Sequence, residues 1–311
     1  MLFICFTNDL PPTFNNICSI NAYADDTQLL VTANSTEELK EKIKLAIDRA
    51  QTWFENNYMK INTDKTKILI FNTSPSIKDI KIEITFENQI IEISSEPFVE
   101  ILGIFIDPDL NWKKQIRRIK RNAMGKIRNL RRIYFMLPLQ QRINLYNAIV
   151  SPQFDYGDVL WGGCNQKEIS SLQRIQNFAM KSILGKKRKY SVKKCMKKLK
   201  FLNLHQRRKI HLTVFTHKAI LNKSSKNLHE TINRYLPKFN TRNSTNKNLT
   251  IPAHNSSKFK RSPLYKMIEA WNDTPNHLPK DNIKLHKSHY QKFLIKQSYP
   301  DEPLDETTNE C

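Results

Sequence analysis

From Ile17 to Val31 two short apolar runs flank the polar bend Asp25-Asp26. That pattern predicts a β-hairpin with carboxylates at its turn. Ser35-Thr36-Glu37-Glu38 has the form of a capping box, and Leu39, Ile43, Ala46, Ile47, Ala50, Trp53 and Phe54 follow at three- and four-residue spacing, which predicts an amphipathic helix. Lys67-Ile-Leu-Ile-Phe71 reads as a buried strand. Ile80, Ile82 and Ile84 alternate with Lys81, Glu83 and Thr85 as in a half-buried strand, and Ile91, Ile93 and residues 99–106 supply further strands.

Beyond Pro108 the period changes from strand to helix. Ile116, Ile119, Ala123, Ile127, Leu130, Ile133 and Leu137 form one apolar stripe closed by Pro138, and the opposite face carries Lys114, Arg117, Arg118, Arg121, Arg128 and Arg132. Helical patterns recur at 139–150, 168–184 and 204–221, whereas 223–260 is polar and reads as loops or a linker. Ser262-Pro263 restarts a helix with Leu264, Ile268 and Trp271 on one side. The fold class is α+β: a mixed unit at 1–110, a basic helical unit at 111–222, and a polar linker, C-terminal helices and an acidic, disordered tail at 223–311.

Composition narrows the function. In the 311 residues no run of about 18 apolar residues occurs, so no membrane span is expected. The apolar opening Met1–Phe6 lacks a basic flank and is too short for a secretory signal. Five scattered cysteines without a C-x-x-C pair indicate neither a disulfide framework nor a zinc site, so a reducing intracellular compartment, nucleus or cytoplasm, is expected. With six glycines there is no phosphate-binding Gly-rich loop. Charge is polarised: residues 1–110 hold 9 Lys+Arg against 17 Asp+Glu, while 111–300 hold 42 against 7. An acidic front joined to a basic back suits metal-dependent chemistry beside a grip on a polyanion; a Lys-rich solvated surface is the plainer alternative.

Two features carry chemistry. Asp25 and Asp26 at a tight turn can lie near one point and suit Mg²⁺, which binds through one or two carboxylates plus substrate phosphates. A bare Asp-Asp pair also reads as an ordinary surface turn. The run 185–200 packs nine bases into sixteen residues, Lys187 and Arg188 among them. With Arg117, Arg121 and Arg128 it suits phosphate contact, although an import signal or a soluble helix face fits the same residues.

Tyr23-Ala-Asp-Asp-Thr-Gln-Leu-Leu30 resembles the catalytic hairpin of reverse transcriptases of jockey-type non-LTR retrotransposons. Phe6-Thr-Asn-Asp-Leu-Pro-Pro12 resembles the stretch before that hairpin. Trp53 with Met59-Lys-Ile-Asn-Thr-Asp-Lys-Thr-Lys67 resembles the next motif, and Ile101-Leu-Gly-Ile-Phe-Ile-Asp107 the primer-grip hairpin. Leu145-Tyr146, Tyr156-Gly157, Trp161-Gly162 and Leu172–Gln176 resemble the helical thumb and connection; Ala270-Trp-Asn272 and Leu278-Pro279 resemble the C-terminal signature. The resemblance runs over about residues 1–295.

It implies a partial palm followed by a helical thumb and C-terminal region. Asp25 and Asp26 would hold Mg²⁺, Tyr23 would lie beside the primer end, Lys65 near the incoming triphosphate, and Leu102-Gly103 against the primer backbone. RNA template and DNA primer are the partners it implies. The family also uses an aspartate on an earlier strand, before the stretch that Met1 opens. The expected protein is therefore an RNA-directed DNA polymerase truncated before its first catalytic aspartate and inactive alone; the alternative is a non-enzymatic nucleic-acid binder using the basic helical half.

Overall fold

The computed structural model describes residues 5–71, 81–86, 89–237, 248–254 and 256–300. Ile80 and the acidic tail lie outside the described residues. The chain separates into two compact units, Met1–Asp109 and Leu110–Cys311.

In the first unit β1 (Ser19–Tyr23) and β2 (Asp26–Leu30) form the hairpin that the apolar runs predict. The helix α1 (Thr36–Asn56) starts at Ser35, whose side chain accepts the Glu38 N–H at 3.1 Å. Glu38 reaches back to the Asn34 N–H at 2.9 Å, one residue before the N-cap, so the box is shifted. Buried Ala46, Ala50 and Trp53 of α1 meet Leu10 and Phe14, with Ile20 and Leu29 of the hairpin against them. Ile43 gathers a second patch with Val31, Ile68 and Ile70.

Residues 67–71 do not form the expected strand. Only Ile68 makes a bridge, parallel to Ser95, supported by the Glu96 N–H on the Ile68 carbonyl at 2.8 Å. The apolar run is used as packing against α1 instead. The strands β3 (Lys81–Phe86) and β4 (Gln89–Ser94) pair antiparallel, as do β5 (Val99–Ile101) and β6 (Ile104–Ile106). Among the described residues the six strands make three separate two-stranded sheets rather than one palm-like sheet.

The second unit is helical. Its first helix, α2 (Lys113–Ile133), buries Ile116, Ile119, Ala123, Ile127 and Leu130. The stripe stops there, because a 3₁₀ turn at Tyr134–Met136 rotates the chain and leaves Ile133 exposed. Then come α3 (Leu139–Leu145), a π turn at Tyr146–Val150, α4 (Ser151–Asp155) and α5 (Asp158–Trp161). The long α6 (Gln166–Ile183) packs on α2; α7 (Val192–Leu199) and α8 (Leu204–Ile220) follow.

The region expected to be linker contains α9 (Lys226–Asn233), with Ile232 buried, and Leu249 is also buried. A polar surface hid these single anchors from the periodicity. The short α10 (Ser257–Lys260) leads to α11 (Pro263–Asn272), capped by Ser262 as its Ser-Pro predicts, and α12 (Ile283–Ser298) closes the unit. Both α11 and α12 pack on α8. Trp271 is buried with Leu212, Ile268 and Met267; Tyr290 and Leu294 of α12 cover Leu202 and Ile210. No helix among the described residues is long and apolar enough to cross a membrane.

Candidate nucleic-acid interface and carboxylate hairpin

The register of β1 and β2 pairs Tyr23 with Asp26 and leaves Ala24-Asp25 as a two-residue loop. Ala24 takes a left-handed φ of 53°, which a two-residue hairpin demands and which alanine adopts at a cost of about 1–2 kcal/mol. The outcome is that Asp25 sits in the loop and Asp26 opens the return strand, both exposed, beside a Tyr23 that is 66% exposed. Two hard oxygen donors on one rigid turn fit the way Mg²⁺ binds, with water and phosphate completing its shell. Among the described residues no third Asp, Glu, His or Cys joins Asp25 and Asp26 to make a three-ligand group.

Lys65 and Leu102-Gly103 lie on two other turns of the same unit. Asn62 caps the first: its Oδ1 accepts the Lys65 N–H at 3.1 Å, and the Lys65 side chain stays exposed. Among the described residues Lys65 makes no ion pair with Asp25 or Asp26. The second is the two-residue loop between β5 and β6, with φ of 46° at Leu102 and 75° at Gly103, positive at both centres as a type I′ turn requires. Strain at a non-glycine residue thus occurs at both hairpin turns named from the sequence.

The cationic surface is clearest on α2. Arg117, Arg121, Arg128 and Arg132 are exposed and sit four, seven and four residues apart, hence on one helix face. They span roughly 22 Å at 1.5 Å per residue. Gly125 lies midway on that face, where an added Cβ would meet nothing within 4 Å. Other cations of α2 are engaged: Lys120 pairs with Glu168 at 2.5 Å, Arg118 donates to Gln115 at 3.0 Å, and Arg131 stacks on Phe178 at 5.3 Å. Lys187 and Arg188 lie exposed in the loop after α6, and the basic run continues into α7, whose Cys195, Met196 and Leu199 are buried.

A cluster that the sequence reading missed joins α4, α5 and α8. The Arg207 guanidinium donates to Asp155 from Nη2 at 2.5 Å and from Nε at 3.1 Å, while Ser151 Oγ accepts from Nη2 at 2.7 Å. The buried Asp158 meets His211 Nδ1 at 2.7 Å. Asp155, Asp158 and His211 could together offer three ligand atoms, but Arg207 already neutralises Asp155. Burial draws the Arg207 pKa down, yet Asp155 more than compensates and the guanidinium is held charged. This is a structural network. Its signal was the i,i+4 pair Arg207 and His211 facing an Asp-x-x-Asp turn.

Of the remaining named motifs, Tyr146, Trp161, Leu172, Gln176, Ala270, Trp271 and Leu278 are buried, whereas Phe6 and Tyr156 are exposed. Trp161 is fully buried, with its Nε1–H on the Tyr156 carbonyl at 2.8 Å and the Arg208 guanidinium 5.0 Å from its ring. Arg208 lies so close over Gly162 that a Cβ there would be 2.3 Å from its Nε. Gln176 donates to the Leu202 carbonyl at 3.1 Å. The Asn272 amide clasps Leu249, accepting its N–H and donating to its carbonyl, both at 2.8 Å.

No family model matches the chain, and no solved structure matches it. Curated proteins do. The chain is 25% identical over 192 residues to the probable RNA-directed DNA polymerase from transposon BS of Drosophila melanogaster, covering 59% of this chain and 21% of that protein. It is 23% identical over 195 residues to the RNA-directed DNA polymerase from mobile element jockey of the same fly, 59% of this chain and 20% of the relative. It is 21% identical over 245 residues to the probable RNA-directed DNA polymerase from transposon X-element, 76% and 25% respectively. The chain thus spans a quarter or less of the length of these relatives.

Proposed function

We propose that the chain carries a metal-binding hairpin and a nucleic-acid-gripping helical unit of an RNA-directed DNA polymerase of the mobile-element type, and that by itself it binds nucleic acid without polymerising. Distant similarity to polymerases of transposons supports the lineage. The observation that carries the binding is the face of α2: exposed Arg117, Arg121, Arg128 and Arg132 on a helix whose other side is fixed in a core. Such a row matches the spaced phosphates of a nucleic-acid backbone and reads charge rather than sequence.

Asp25 and Asp26 would hold Mg²⁺, and Tyr23, exposed beside them, would lie against the primer end. The ion would supply charge stabilisation for phosphoryl chemistry. Among the described residues no further carboxylate joins these two donors, and this supports binding without extension by this chain. Lys65 and Leu102-Gly103 are proposed contacts to triphosphate and primer backbone, and Lys187 and Arg188 to phosphate.

The test is affinity for a primed RNA template against salt. Binding is expected to weaken steeply between low and physiological salt, and Arg117→Gln, Arg121→Gln and Arg128→Gln should each lower the log–log slope by about 0.9. Asp25→Asn with Asp26→Asn should leave that slope unchanged while abolishing the protein-dependent enhancement of water-proton relaxation by Mn²⁺. Affinity independent of salt refutes the reading.

A further inference from the structure

The turn that links α2 to α3 presents large apolar side chains to water. Phe135 is 67% exposed and Met136 70%, with Ile133 and Leu139 less exposed beside them. The turn is nevertheless held. The Arg142 guanidinium lies 5.1 Å from the Tyr134 ring centroid, donates from Nε to the Leu137 carbonyl at 2.7 Å, and from Nη1 to the Ile183 carbonyl at 3.0 Å. These bonds tie the turn to the end of α6. Gly185, at φ 64°, abuts the same tyrosine: a Cβ there would stand 3.2 Å from Tyr134 Cε2. The Tyr134 and Phe135 rings meet edge to face at 6.2 Å and 89°. So Phe135 is an exposed ring on a rigid mount, and its ordering entropy is already spent.

Its surroundings are all of one sign. Arg132 precedes it, and Lys186, Lys187, Arg188 and Lys189, all exposed, follow Gly185. No Asp or Glu occurs between Asp109 and Asp155 or between Glu168 and Glu230. The core of a protein interface is depleted of Lys, and three of the four cations at 186–189 are lysines. Membrane-surface helices need a broad apolar face, and here only Phe135 and Met136 are more than half exposed, with Ile133 and Leu139 less so beside them. An aromatic ring flanked by cations is instead the arrangement that holds single-stranded nucleic acid, with a base on the ring and phosphates on the charges.

We propose that Phe135 is a base-stacking platform for an unpaired nucleotide of a bound nucleic acid, with Arg132 and the 186–189 loop on the flanking phosphates. The proposal rests on the nucleic-acid reading above and adds to it a single-strand site at a defined residue.

The test uses the full chain and a duplex with a short unpaired overhang carrying a fluorescent adenine analogue, with a blunt duplex as control. Binding of the wild-type chain should quench the analogue. Phe135→Ala, at an exposed position, should leave the circular dichroism unchanged, remove the quenching and weaken the overhang complex about 5- to 100-fold, as expected for one stacked base. Its salt slope and its affinity for the blunt duplex should not change. Phe135→Trp should restore quenching; Phe135→Leu should not. If the chain binds with steep salt dependence but Phe135→Ala quenches normally, the platform is refuted and the proposed function stands. If the wild-type chain binds neither duplex, both fall. If Phe135→Ala alters sedimentation or attachment to anionic vesicles while quenching persists, the tip docks another macromolecule and the platform is refuted.

Discussion

The two units solve the burial problem differently. The first relies on one helix: Trp53, Ala50 and Ala46 of α1, with Leu10 and Phe14, cover a hairpin, and the three sheets are each only two strands wide. Two-stranded ribbons are marginal unless something packs on them. The second unit buries Trp161, Trp271, Tyr146 and Tyr290 fully or nearly so and interlocks helices distant in sequence. Chemistry divides the same way. The front unit carries most of the acids, whereas the back unit carries most of the bases and all eight histidines. What the difference teaches is that the named motifs of the two halves stand in different surroundings. Asp25, Asp26 and Tyr23 stand in solvent, while Trp161, Gln176, Trp271 and Asn272 hold the scaffold together.

Replacing the anchor of one core should therefore spare the other. Trp271→Ala removes a ring that meets His217 tilted at 5.4 Å and stacks on His286 at 5.5 Å and should cost the second unit about 3–5 kcal/mol. Hydrogen exchange should show protection lost in α8, α11 and α12 and kept in α1; uniform loss would break the contrast between the units.

Acid gives a graded version of the same contrast. Burial pushes the pKa values of His205, His217 and His286 below 6.5. His217 donates from Nε2 to the Lys280 carbonyl and His286 from Nδ1 to the Pro279 carbonyl, so each second nitrogen is buried without a partner. Asp281 opposes the shift at His217, and Lys223 and Lys280 reinforce it; His217 and Lys280 reinforce it at His286. Below pH 6.5 the unfolded chain binds more protons than the folded one, so stability falls as pH drops through the depressed folded-state values. Urea midpoints from pH 8 to 5 should fall for the second unit, and His217→Gln with His286→Gln should flatten that fall.

The smallest effect has the opposite sign. Gly125 is mid-helix with open space around it, so Gly125→Ala should stabilise the second unit by about 0.5–1 kcal/mol in the same urea titration. Gly163→Ala, whose Cβ would lie 2.0 Å from the Arg261 carbonyl oxygen, should destabilise it, so the two substitutions separate helix propensity from packing.

Periodicity and turn chemistry made much of this fold legible. The hairpin bend at Asp25, the N-caps at Ser35 and Ser262 and the stripe from Ile116 to Leu130 all follow from spacing or from a single capping side chain. The strand expected at Lys67–Phe71 failed because an apolar run does not say whether its backbone finds a partner; only Ile68 does. The helix at Lys226–Asn233 was hidden because it is short and its apolar contacts, Leu228 and Ile232 with Tyr235 just beyond, are outnumbered by the polar residues around them. The network of Arg207, Asp155, Asp158 and His211 left only a faint trace, an i,i+4 pair and an Asp-x-x-Asp turn, for another reason. Its members lie about 50 residues apart and meet only once α8 has docked. Phe135 carries no sequence signal of its own, since an aromatic that follows Tyr134 and precedes Pro138 by three residues looks the same in sequence whether it is covered or bare.

The docking of α12 sets an order in time. Tyr299 donates to the Phe201 carbonyl at 2.7 Å, and Gln206 donates to Ser298 at 2.5 Å, across nearly a hundred residues. During synthesis, with segments folding as they emerge, the apolar flank at Leu202 and Ile210 stays bare until α12 has left the ribosome. A nascent chain stalled before that point would offer chaperones a sticky, strongly cationic helical stump, whereas one released after it can seal itself.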